Sequence, residues 1–279
     1  MAPVSSIHVE GWADECTTIA EIEDALVDLR FRVGDGDLPD LRTSVLTHMA
    51  WVPVDWREAA TETLAGLGTG HPSRTLLLFP EPDKADGLAA RVHLECYPLE
   101  NDIRQLCNEV IELRLQGPRS EAPASIATPL LLADLPVFLR WRGRPPFATD
   151  QFRQMADLTD RLIIDSAEWP DVPGAYEELA GFFETAAFSD IAWRRTLRWR
   201  EAFARDWPQV PDRLSGPPAE TALVAGWLRA RAGFEVAVER GDELPHSEDL
   251  DASEFLSEEL DVFGRDRVYE EAVSAAAPL

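Results

Sequence analysis

Residues 134–166, DLPVFLRWRGRPPFATDQFRQMADLTDRLIIDS, hold two candidate strands around one candidate helix. Val137, Phe138 and Leu139 follow Pro136 as a covered strand would. Thr149 is an N-cap residue for ATDQFRQMADLTD, and RLIIDS, 161–166, is a second short buried run. Upstream, CNEVIELRLQG at 107–117 alternates like a strand. SEAPASIATPLLLAD, 120–134, has Ser120 as N-cap and a helical apolar spacing that Pro129 should interrupt. From 107 to 166 the order is strand, helix, strand, helix, strand. It predicts right-handed crossovers and a parallel section of sheet.

Outward from that core, residues 14–30 place Ile19, Ile22, Leu26 and Leu29 on one helical stripe. TSVLTHMAW (43–51), RTLLLF (74–79) and ARVHLECY (90–97) read as strands, the last with one wetter face. These earlier strands are free to pair antiparallel with the parallel section. DWREAATETLAGLG opens at an acidic N-cap, Asp55. Beyond 170 strands are scarce: GAYEELAGFFETAA, DIAWRRTLRWREAFARDW (190–207), AETALVAGWLRARAG and the closing segment read as helices. Residues 239–261 hold ten acids and one base, Arg240, and read as a mobile acidic loop. The fold class expected is α/β: a mixed, partly parallel sheet flanked by helices, with a mainly helical C-terminal part. The division expected is an α/β sheet domain over 1–170 and a helical region over 171–279 carrying the acidic loop 239–261.

Fifty-one acids against 26 bases give a formal net charge of -25. Such a surface repels phosphate backbones and anionic lipid, which argues against nucleic acid and membranes as partners. It serves solubility, or docks a basic partner. No apolar run approaches the roughly 18 residues of a membrane span, and the first 15 residues lack the pattern of a secretory signal. Cys16, Cys96 and Cys107 are odd in number and suggest no close pairing, which fits a cytoplasmic protein without a disulfide framework and with inert strand thiols.

Motifs of catalysis are missing. There is no G-x-G-x-x-G, P-loop, G-x-S-x-G or H-E-x-x-H. GLGTG, 66–70, follows a helix and reads as its C-cap and turn, not as a phosphate cradle. His93 and Cys96 fall on opposite strand faces, which argues against a metal site with Cys107. His71 and Arg74, before a buried strand, are a possible anion site; the plainer reading is a turn with the arginine paired to a carboxylate. Asp165, Ser166 and Glu168 follow a parallel strand at the carboxyl end where α/β sites gather, though an N-cap explains Asp165 equally. No catalytic residue, cofactor or metal is assigned.

Two segments combine tryptophan with arginine. Arg140, Trp141, Arg142 and Arg144 end the strand at 137 before the stiff Pro145-Pro146. In the helix 190–207, Arg194 and Arg198 lie outside the apolar arc, while Arg200 falls inside it and must snorkel, pair or stack on a ring. Tryptophan and arginine dominate binding hot spots. Arg140, Trp141, Arg142, Arg144, Trp193, Arg194 and Arg198 are therefore candidate partner-binding residues; the alternative is a set of arginines paired with the protein's own acids.

HPSRTLLLF (71–79), the run from Val110 to Phe147, LTDRLIIDSAEW (158–169), FSDIAWRRTLRWRE (188–201) and FGRDRVYEEAV (263–273) together resemble the glucose-6-phosphate dehydrogenase assembly protein family, OpcA. The resemblance implies a non-catalytic partner that promotes assembly or activity of that dehydrogenase, with no cofactor. Two departures accompany it: the first 42 residues match only in a leading helix, and the stretch from Gly233 to Ser253 is short. The alternative is an α/β protein that binds or converts a sugar phosphate through His71, Arg74, Asp165 and Glu168.

Overall fold

The computed structural model describes residues 7–33, 44–67, 70–98 and 105–277. Residues 68 and 69 of GLGTG lie outside the described residues. The chain forms two compact units, one of residues 1–140 and 148–160, the other of residues 141–147 and 161–279.

The first unit runs β1 (Ile7–Asp14), α1 (Ile19–Val33), β2 (Leu46–Trp51), α2 (Arg57–Leu67), β3 (Ser73–Glu81), β4 (Gly87–Pro98), β5 (Gln105–Gln116), α3 (Ala124–Ala127), β6 (Val137–Trp141, shared with the second unit at Trp141) and α4 (Asp150–Ala156). Its strands lie in the order β1-β4-β5-β3-β2-β6. β2 and β3 are parallel, as are β3 and β5; β4 is antiparallel to both β5 and β1. The parallel section thus begins earlier than the sequence suggested, because α2 acts as a crossover between β2 and β3. β1 was not foreseen.

Local chemistry explains the helix ends. Thr18 and Glu21 cap α1 reciprocally: the Thr18 amide donates to the Glu21 carboxylate at 2.8 Å, and the Glu21 amide to the Thr18 hydroxyl at 3.4 Å. Ile22, Leu26 and Leu29 are buried, as their stripe predicted. Asp55 is not an N-cap; it sits inside a 3-10 turn, Val54–Trp56, ahead of α2. The helix expected over 120–134 is instead the short α3 between two 3-10 turns. Pro118, Pro123 and Pro129 remove the amide donors a longer helix needs. Ser120 is no cap: its buried hydroxyl donates to the Gly117 carbonyl at 2.8 Å. Thr149 does cap α4, accepting from the Phe152 amide.

The second unit runs β7 (Arg161–Ile164), α5 (Val172–Ala180), β8 (Ala187–Asp190), α6 (Ile191–Arg195), α7 (Leu197–Asp206), β9 (Arg213–Gly216), α8 (Pro218–Ala232), β10 (Ala237–Arg240), α9 (Ala252–Leu260) and α10 (Arg267–Ala276). β7 pairs parallel with β8, and β9 with β10. β8, β9 and β10 have four residues each, too short to carry a periodic signal. The helix expected over 190–207 breaks at Thr196, whose hydroxyl donates to the Trp193 carbonyl at 2.7 Å. Residues 239–261 are not one acidic loop: β10 takes the start and α9 the end. Asp251 and Glu254 form a capping box, and Phe255, Leu256 and Leu260 are buried. The architecture is α/β with a mixed, largely parallel sheet and a helical C-terminal part, α8 to α10.

One pairing contradicts the cysteine reading. Cys96 and Cys107 stand directly opposite each other in the antiparallel pair β4–β5 and form a disulfide. Eleven residues of separation concealed the match, because only the hairpin register brings them together. Cys16 is a free, exposed thiol.

Candidate functional site

β7 and β8 end side by side, Ile164 opposite Asp190, and each hands over to a helical turn. Two aspartates cap those turns. Asp165 accepts from the Ala167 amide at 3.2 Å, and Asp190 from the Ala192 amide at 2.9 Å. The same Asp190 oxygen accepts from the Ser166 amide at 3.0 Å, which ties one strand end to the other. The Tyr269 hydroxyl of α10 donates to the second Asp190 oxygen at 3.3 Å. Burial, with the nearby Asp165 charge, pushes the Asp190 carboxyl up to about 7.

Arg195 reaches back from the end of α6. It donates to both oxygens of Asp165, at 2.6 and 3.0 Å, and to Glu220 in the first turn of α8 at 2.8 Å. Burial opposes its charge, but the two carboxylates outweigh burial and hold the guanidinium protonated. Ser166 shares a 3.0 Å hydrogen bond with Tyr176 of α5. The hydroxyl therefore faces a phenol whose ionisation burial suppresses, which is no base to activate a nucleophile. Asp190 has the pKa of a general base, yet its oxygens accept three protein donors. Chemically, the cluster is a brace joining β7, β8, α6, α8 and α10.

The other predicted site residues are placed as follows. In the second unit, residues 141–147 are clamped by their own surroundings. Trp141 is 1% exposed and Arg142 buried. Arg142 lies 3.5 Å from Glu168, which also accepts from the Gly143 amide at 2.6 Å. The Trp169 indole donates to the Gly143 carbonyl, and Phe147 packs edge-on against Trp169. Arg144 pairs with Glu178 at 2.8 Å and stays partly exposed. Trp193 is buried, donating to Asp266 at 3.1 Å. Arg200 does stack, its guanidinium 3.5 Å from the Trp193 ring centroid. Arg194 pairs with Glu258 at 2.6 Å and Glu248 at 3.3 Å; Arg198 meets Glu248 at 2.8 Å and Glu201 at 3.0 Å. The arginines thus take acids from residues 239–261 as partners.

In the first unit, Arg140 is 2% exposed on β6. Arg74 takes a carboxylate partner, as the plainer reading of its turn expected. Arg74 donates to Glu109 at 2.7 Å and to the Leu130 carbonyl at 2.8 Å, and Glu109 also takes Arg30. His71 instead acts electrostatically on His48 of β2. Sequence reasoning missed Asp190, Glu220, Tyr176 and Tyr269 as members of the brace, and gave Arg195 no role. An aspartate placed between AFS and IAWRR carried an N-cap signal that a single long helix obscured.

Residues 66–181 match the family model described as the glucose-6-phosphate dehydrogenase subunit N-terminal domain. These residues are an OpcA-family domain. A putative OxPP cycle protein OpcA of Nostoc punctiforme is 27% identical over 199 residues, covering 62% of this chain and 43% of that protein. The protein of the same name from Synechococcus elongatus is 25% identical over 185 residues, covering 61% and 41%. Each match spans less than half of the relative's own length. The OpcA-family domain takes in His71, Arg74, the 134–147 stretch, Asp165 and Glu168. Asp190, Arg195, Glu220 and the α6–α7 arginines lie beyond it.

Proposed function

We propose that this protein is a non-catalytic partner of glucose-6-phosphate dehydrogenase that promotes its assembly or activity in the cytoplasm. The family match over residues 66–181 carries the reading. Three curated OpcA relatives support it, as does the internal use of the polar groups at the ends of β7 and β8. The sugar-phosphate alternative loses support, because Arg74, Asp165 and Glu168 are each engaged by protein groups.

Docking through the Trp/Arg segments is proposed for their partly exposed members, Arg144, Arg194 and Arg198. Their pairing with Glu178, Glu248 and Glu258 shapes a surface of alternating sign. Trp141, Arg142 and Trp193 of the same unit are buried. The test is a rate titration: dehydrogenase activity against increasing amounts of this protein, with a parallel reaction lacking the dehydrogenase. A saturable rise in the first and no turnover in the second fit the proposal. Turnover of a sugar phosphate by the isolated chain contradicts it.

A further inference from the structure

Residues 241–251 join β10 to α9 without helix or strand, and they carry acids at Asp242, Glu243, Glu248, Asp249 and Asp251 but no lysine or arginine. Among the described residues, none from 242 to 250 shares a backbone hydrogen bond. Side chains hold this strap instead. Leu244 packs, partly buried, on the cluster that contains Trp199, Phe203 and Leu214. Glu248 reaches the arginines of α6 and α7: one carboxylate oxygen lies 3.3 Å from Arg194 and the other 2.8 Å from Arg198.

Neither arginine depends on Glu248 for a partner. Arg194 also pairs with Glu258 of α9 at 2.6 Å, and Arg198 with Glu201 of its own helix at 3.0 Å. The Glu248 side chain is 13% exposed, and its Oε2 faces Arg194 Nη1 with neither atom hydrogen-bonded. Asp251 caps α9, while Asp242, Glu243 and Asp249 form no ion pair among the described residues. Glu248 is thus the acid that fastens the strap over the arginines. A segment with one such fastening and no backbone hydrogen bonds opens at low cost.

We propose that Glu248 is an internal competitor for the docking arginines: the strap covers Arg194 and Arg198 in the free chain and is displaced when a partner surface bearing carboxylates takes the place of Glu248. The inference rests on the reading of these arginines as docking residues for the dehydrogenase, and adds regulation to it. One carboxylate replaces another, so both arginines stay paired throughout the exchange. The strap also sets a threshold: surfaces too weakly acidic to outcompete Glu248 do not dock.

Sedimentation titration of the full chain with glucose-6-phosphate dehydrogenase tests this, using Glu248→Gln beside Glu201→Gln. Each variant removes one negative charge from Arg198, and Glu248 alone belongs to the strap. Glu248→Gln should bind about threefold more tightly than wild type, with Glu201→Gln close to wild type. In the free chain, a glutamate-specific protease should cut after Glu243 about threefold faster in Glu248→Gln. Unchanged affinity or unchanged cleavage in Glu248→Gln, or an equal gain of affinity in Glu201→Gln, overturns the strap alone. Absence of binding by wild type and both variants overturns the dehydrogenase reading and the inference together.

Discussion

Arg195 grips Asp165 with both terminal nitrogens of its guanidinium and turns its third nitrogen to Glu220. One cation serves two buried carboxylates, one from the end of β7 and one from α8. Removing it leaves both uncompensated, so Arg195→Ala should lower the unfolding free energy by about 3 kcal/mol. Arg195→Lys keeps the charge, loses the fork and should fall between. Urea denaturation reads the order; equal stability of wild type and Arg195→Ala would contradict it.

Asp190 should give stability an unusual pH dependence. Its folded pKa of about 7 lies above the ordinary carboxylate value of 3.8, so the folded state holds this proton more tightly than the unfolded chain. The contribution is fully present below about pH 4 and is lost as pH rises through 7, with a limiting slope of about 1.4 kcal/mol per pH unit. Asp190→Asn cannot titrate, yet its carbonyl can still accept from the Ser166 and Ala192 amides. The stability difference, variant minus wild type, should therefore grow from pH 5 to pH 8. A constant difference across that range would show that Asp190 ionises normally.

Gly226 of α8 permits the close approach of α10. A Cβ there would stand 2.2 Å from the Ala272 carbonyl oxygen and 2.9 Å from the Ala276 Cβ. Backbone cannot swing aside as a long side chain can, so the helices must part. Gly226→Ala should destabilise by about 1–3 kcal/mol despite its better helix propensity. An unchanged melting temperature would contradict the packing.

The Cys96–Cys107 bond should be detectable and should matter. Non-reducing peptide mapping should recover the two strands as one linked species. Reduction frees an 11-residue separation, and a loop of this size contributes roughly 3 kcal/mol in the chain-entropy view. Melting with and without reductant measures it; identical melts would argue that the hairpin needs no link.

Legibility in the sequence followed signal length. The stripe of Ile22, Leu26 and Leu29, the run Val137–Leu139 and the cap at Thr149 each read correctly, because periodicity or an N-cap announced them. β8, β9 and β10, four residues each, had no room for a period. α9 was hidden by charge: DASE, 251–254, is a capping-box signal, but ten acids around it read as a loop. The brace joins Asp165, Asp190, Arg195, Glu220 and Tyr269, which are far apart in the chain. Only the tertiary fold assembles such a set. The arginines were visible as a class, and their acidic partners at Glu168, Glu178, Glu248 and Glu258 were not.

Sedimentation of this protein with glucose-6-phosphate dehydrogenase tests the central claim most directly. The account predicts a new, faster boundary containing both proteins, with the dehydrogenase shifted toward a larger assembly. It also predicts that Arg144→Glu combined with Arg198→Glu, both on partly exposed side chains, weakens that boundary while leaving the melt of the free chain nearly unchanged. Two independent boundaries at micromolar concentrations of both proteins, with the dehydrogenase unchanged in size and rate, would contradict it.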